Sequence, residues 1–96
     1  MMMLGVMRAE ERVAAFLVGL SERYRRLGYS GTEFVLRMTR TEIGSYLGLK
    51  IETVSRALSR LAEQDILQVS GKRVTILDAA ALRGTLGTGV VRRGDA

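Results

Sequence analysis

Glu52, Ser55 and Arg56 are the residues of this 96-residue chain whose types and spacing offer recognition chemistry. Side chains three and four positions apart lie on one face of a helix, so an acid, a hydroxyl and a guanidinium would project together within about one turn. A guanidinium matches the paired O6 and N7 acceptors of guanine, a carboxylate accepts from the exocyclic amine of cytosine, and a hydroxyl adapts to either role. Phosphates repel an acid, so Glu52 suits a base edge better than a nucleic-acid backbone. The same two residues, Glu52 and Arg56, also stand as an i,i+4 pair, which on an exposed helix contributes about 0.2 to 0.5 kcal/mol to the helix itself. Their spacing alone leaves both roles open.

The elements that would position these side chains are legible from Thr39 to Leu61. Thr39 and Glu42 are three apart, as a capping box requires, and predict a helix start. Ile43 and Leu47 give that helix an apolar face, and Gly44 leaves room for a close approach by the following helix. Gly48 can take the left-handed conformation that ends a helix and turns the chain, with Leu49 filling the corner. Val54, Ala57, Leu58 and Leu61 then recur at i, i+3, i+4 and i+7, which predicts a second helix over 51–64. Its buried stripe leaves Glu52, Ser55, Arg56, Ser59 and Arg60 facing outward. Two short helices joined by a tight turn make a helix-turn-helix, whose second helix presents the side chains near its start to the major groove.

On these residues the chain resembles the DNA-binding end of Crp/Fnr-type bacterial transcription regulators, and the Fnr branch in particular. AEERVAAFLVGLSERYRRLGYS (9–30) resembles the leading helix of that domain, EFVLRMTRTEIGSYLGLKIETVSRAL (33–58) its helix-turn-helix, and GKRVTI (71–76) its wing. The resemblance covers roughly residues 3–86 and implies a winged helix-turn-helix, mainly α with a small β component. It implies that Glu52, Ser55 and Arg56 read bases, because they stand at the Fnr-type E-x-x-S-R signature. The Crp branch has arginine at the position of Ile51 and glycine at that of Ser55, so the match favours a TTGAT-like half-site. Thr39, Arg40 and Thr53 match phosphate-holding positions, and Lys72 matches a basic wing residue with the same role. Lys50 departs from the pattern: the family commonly has serine or threonine there, which would cap the recognition helix. The cap is expected to be weaker, although lysine still reaches a phosphate as a point charge. The implied partners are double-stranded DNA, a second copy of the chain in a dimeric regulator, and RNA polymerase.

Composition sets independent bounds. The length suits one domain with a modest core. A net charge of +5 points to a polyanionic partner without choosing among DNA, RNA and acidic lipid. Within 37–60, five basic residues stand against two acidic ones, so much of the excess lies around the motif. The chain has no cysteine and no histidine, which excludes disulfides, thiolate or imidazole metal sites and histidine-dependent nucleophilic triads. No catalytic cluster can be assembled from what remains, so an enzyme is not expected. No cofactor is expected in this chain either; by the resemblance, iron–sulfur or nucleotide sensing belongs to a separate N-terminal domain. No stretch approaches the roughly 20 apolar residues needed to cross a bilayer, and MMMLGVM lacks the basic start of a signal peptide, so a cytoplasmic location without membrane contact is expected.

The rest of the chain fits a three-helix core with a hairpin wing. Val13, Phe16, Leu17, Leu20, Tyr24 and Leu27 keep helical spacing, Gly28 supplies the stop, and the two aromatics are expected to pack in the core. Residues 33–38 read as a short strand with Phe34, Leu36 and Met38 on one side. Leu67 and Val69 alternate before an SGKR turn, and Val74 and Ile76 alternate after it, giving a hairpin whose tip carries Lys72 and Arg73. Asp78 is a plausible N-cap for a last helix to about Leu86. Residues 9–86 thus form the expected domain and 87–96 a flexible tail. Residues 1–8 read as a disordered start or as the end of the long helix through which the resembled regulators dimerise, in which case the chain is a piece of a longer protein. The runner-up function is a winged helix used for protein–protein interaction. That use calls for large apolar side chains on the outer face of the second motif helix, where only Ile51 qualifies.

Overall fold

The computed structural model describes residues 8–87, which form four helices and three strands: α1 (Ala9–Arg26), β1 (Glu33–Val35), α2 (Arg40–Leu47), α3 (Ile51–Glu63), β2 (Leu67–Ser70), β3 (Arg73–Ile76) and α4 (Ala79–Gly87). Of the two terminal segments distinguished in the sequence, all but Arg8 and Gly87 lie outside the described residues.

α1 carries Glu10 and Glu11 in its first turn and Arg23, Arg25 and Arg26 in its last, a charge order that complements the helix dipole. The Glu11 carboxylate accepts the Arg8 backbone N–H at 2.7 Å. Burial along α1 departs from the expected stripe. Val13, Ala14, Leu17 and Val18 are buried, whereas Phe16, Leu20 and Tyr24 are half-buried and Leu27 is 64% exposed. The physical reason is that α1 packs against both α3 and α4, so its inward face is turned toward Ala14 and Val18. Leu27 lies past the last helical turn, where its N–H bonds back to the Arg23 and Tyr24 carbonyls and its side chain is left outside. Both aromatics pack against the edge of the core rather than inside it, Tyr24 stacking on Phe34 with ring centroids 5.4 Å apart and Phe16 tilted against the exposed Tyr46 at 5.8 Å.

The hairpin of β2 and β3 forms around Gly71, whose φ of 61° opens the two-residue turn at no steric cost. β1 adds to it as a third strand, with antiparallel order β1-β3-β2 and Phe34 opposite Val74. The strand expected over 33–38 ends at Val35, because the chain must leave the sheet to reach α2. Its alternation persists beyond that point: Leu36 is buried, Met38 is half-buried, and the Leu36 N–H still bonds the Lys72 carbonyl at 2.7 Å. Asp78 caps α4 by accepting the Ala81 N–H at 3.0 Å, and Leu82 buries the helix against α1. One core joins all layers, with Leu17, Leu36, Ile43, Val54, Leu61, Leu67, Val74 and Leu82 fully buried.

Candidate nucleic-acid interface

The motif is built from its two helix starts. At α2 the capping box is complete: Thr39 Oγ1 accepts the Glu42 N–H at 3.1 Å, and Glu42 Oε1 accepts the Thr39 N–H at 2.8 Å. Two of the four orphan donors of the first turn are thereby satisfied, and the helix start is set by residues three apart. Gly48 closes α2 in the left-handed conformation at φ 75°. The chain then doubles back so tightly that a Cβ on Gly44 would stand 2.5 Å from the Leu49 carbonyl oxygen. Gly44 therefore does allow a close approach, but by the turn backbone rather than by the body of the next helix. Leu49 donates its N–H to the Gly44 carbonyl at 2.7 Å and fills the corner, half-buried.

α3 starts without help from a side chain. Lys50 occupies its N-cap and makes no side-chain hydrogen bond to the first turn, as the departure from serine or threonine implied. Packing holds this helix instead: Val54, Ala57, Leu58 and Leu61 are buried. Gln64 is its C-cap, so the helix ends one residue inside the expected end.

Glu52, Ser55 and Arg56 are exposed on the opposite face, together with Ser59 and Arg60. The ion pairs among the described residues are Arg73 with Glu33 and Arg83 with Glu22, so Glu52 and Arg56 are not joined as a helix-stabilising pair. Of the hydrogen bonds between described residues, none uses the side chains of Glu52, Ser55 or Arg56. Ile51, 44% exposed, is the large apolar side chain on this face.

The five residues expected to hold phosphates divide between the start of α2 with the adjoining wing turn and the start of α3. Arg40 Nη2 donates to the Gly71 carbonyl at 3.0 Å, which draws the wing turn against the start of α2. Thr39, Arg40 and the exposed Lys72 thus come together from segments over 30 residues apart. Arg40 retains further N–H groups for an anion, since a guanidinium carries five donors. Lys50 stands at the start of α3, and Thr53 is half-buried one turn in, facing the start of α1. Arg73, expected at the hairpin tip beside Lys72, instead bonds Glu33 on the neighbouring strand at 3.1 Å. The register that brings those two strands together was not visible in the sequence. Sequence reasoning also missed Arg8 and Arg60 as neighbours of Thr53 and Arg56; helical spacing placed Arg60 on an exposed face but nothing linked it to Arg8. Among the described residues no group of three acidic side chains lies close enough to hold a metal ion.

A helix-turn-helix flanked by a three-stranded antiparallel wing defines a winged helix. Residues 11–85 match the family described as the Crp-like helix-turn-helix domain, and the chain belongs to that family. It is 52% identical over 83 residues to the transcriptional regulatory protein btr of Bordetella pertussis, covering 86% of this chain and 34% of that protein. It is 53% identical over 87 residues to the anaerobic regulatory protein of Pasteurella multocida, covering 91% of this chain and 32% of that protein. Among solved structures, FixK2 from Bradyrhizobium japonicum superposes with a TM-score of 0.75 at 40% identity, over 86% of this chain and 40% of that one. The chain spans about a third of the length of the curated relatives it matches.

Proposed function

We propose that this domain is a sequence-specific reader of double-stranded DNA within a dimeric transcription regulator of the cytoplasm, each protomer inserting α3 into the major groove of one half-site. The observation that carries the reading is the outward face of α3, where Glu52, Ser55 and Arg56 are exposed and unengaged while the opposite face is buried. A helix anchored on one side with hydrogen-bonding groups open on the other is what base recognition requires. Arg56 reads guanine, Glu52 accepts from cytosine and Ser55 supplements them, on a half-site of the TTGAT kind. Thr39, Arg40, Lys50, Thr53 and Lys72 contact phosphates and set the register without choosing sequence. By this reading the signal-sensing part and any cofactor it holds belong to a separate N-terminal domain of the regulator, which acts as a dimer and contacts RNA polymerase.

Titrating wild-type and Arg56→Ala chains against a TTGAT-containing duplex and a random duplex tests the assignment. The substitution is expected to weaken binding to the specific duplex by about 1 to 3 kcal/mol while random-duplex binding falls less, flattening discrimination. Equal losses on both duplexes remove Arg56 from base reading.

A further inference from the structure

One flank of α1 lines a groove shared with α2 and the segment that follows β1. Two adjoining open hollows, of about 520 and 340 Å³, make up this groove and have Phe16, Leu20, Arg23 and Met38 in common. It follows α1 from Arg12 to Tyr24, about 18 Å or three turns at the rise of an α-helix. Its floor is apolar and incompletely covered: Phe16, Leu20, Met38 and Leu47 are half-buried, and Tyr46 stands 72% exposed as one wall. Gly19 keeps the groove open. It lies in the interior of α1, where glycine is disfavoured, yet a Cβ added there would meet nothing within 4 Å. The domain's own packing therefore does not call for glycine, and what the missing side chain leaves is room on the groove.

The charged groups along the groove are all cationic. Arg12, Arg23 and Arg37 line it, and among the described residues no acidic side chain does. Arg12 spends one N–H on the Leu47 carbonyl at 3.1 Å, which leaves most of its five donors, and Arg23 and Arg37 are exposed. Shape and charge together select the occupant. An open trough three turns long suits a helix laid lengthwise with apolar anchors at i, i+3 or i+4 and i+7, whereas a small ligand would be left largely in water. A second copy of the chain, at a net charge of +5, would bring arginines to arginines. DNA has no apolar face to lay on Phe16 and Leu20. We infer that this groove docks an acidic amphipathic helix of a separate protein. The apolar side of that helix covers Phe16, Leu20 and Met38, and its carboxylates meet Arg12, Arg23 and Arg37. None of the residues proposed to contact DNA lines the groove, so the docked helix meets the helix-turn-helix at the end of α2 and leaves the outward face of α3 free.

The probe is a fluorescein-labelled, stapled synthetic helix of about four turns, with leucines at i, i+3, i+4 and i+7 and glutamates on its flanks. A matched peptide carries the same leucines and lysine in place of every glutamate. Fluorescence anisotropy follows binding to the wild-type chain, Gly19→Gln, which fills the groove without adding charge, and Arg23→Glu, which reverses a charge on its rim. Arg26→Glu is the control, an exposed arginine outside the groove given the same change of charge. Thermal unfolding confirms that each variant is folded. The wild-type chain is expected to bind the acidic helix at least about tenfold more tightly than the lysine helix, with Gly19→Gln and Arg23→Glu each losing about tenfold and Arg26→Glu less than about twofold. Excess TTGAT-containing duplex leaves the acidic helix bound. Failure of the wild type to bind the acidic helix overturns the docking site, as does an equal loss in Arg26→Glu, which would reduce the effect to net charge. Displacement by the duplex overturns it too, by placing the peptide on the DNA-binding face. Sedimentation showing self-association of the wild type that Gly19→Gln abolishes would make the occupant a second copy and likewise overturn it.

Discussion

α2 begins under a reciprocal capping box and closes on a left-handed glycine, whereas α3 begins on Lys50 with no side-chain bond to its first turn. Burial runs the other way. α2 buries Ile43 and Gly44, while α3 buries Val54, Ala57, Leu58 and Leu61. The start and stop of the first helix are therefore set by bonds among its own residues and caps, and the second helix is placed by what it packs against. Because packing alone anchors α3, its outward side chains have no structural duty and remain open to a ligand. Four arginines, Arg12, Arg40, Arg73 and Arg83, bond the domain's own acceptors, whereas the side chain of Arg56 on the outward face of α3 bonds no described residue.

The contrast is broken most strongly by Leu61→Ala. Removing a fully buried side chain from the inner face of α3 is expected to cost about 3 kcal/mol, read as a lower urea midpoint, with DNA binding falling because the helix is no longer held. A cost under about 1 kcal/mol, well below the usual range for a buried leucine, would mean that something other than packing secures α3. Thr39→Ala addresses the local side of the comparison. Losing the Oγ1 acceptor for the Glu42 N–H should cost about 1 kcal/mol, and Thr39→Ser should restore most of it. Equal stabilities for the alanine and serine variants would show that the box does not set the start of α2. Lys50→Ser sharpens the comparison by giving α3 the cap it lacks. Thermal unfolding should report a gain of about 0.5 to 1 kcal/mol, while discrimination between duplexes stays the same. A destabilised serine variant would show that Lys50 supports the helix start in a way its backbone bonds do not reveal.

Much of the fold was legible because its signals are short-range. The Thr39 and Glu42 box, the Gly48 turn, the buried stripe of α3, the Asp78 cap and the Gly71 hairpin each involve residues a few positions apart, so each can be recognised in a window of sequence. The outward placement of Glu52, Ser55 and Arg56 follows from the same periodicity. What escaped involves two elements at once. The α1 stripe was rotated by a neighbour, α4, that lies far along the chain, and Leu27 was carried past the helix end into solvent. Arg73 was drawn to Glu33 once β1 and β3 paired.

Periodicity and caps, acting over three or four residues, determined from sequence alone where α2 starts and stops, where α4 starts and which side of α3 faces out. Tertiary structure alone decided how the three-stranded wing assembles, that Arg40 anchors the Gly71 turn, and that Arg8 and Arg60 flank one cleft with Thr53. The reason is range: a helix start depends on hydrogen bonds among near neighbours, whereas a shared cleft depends on how whole elements pack, and residues some 50 positions apart carry no local mark of meeting.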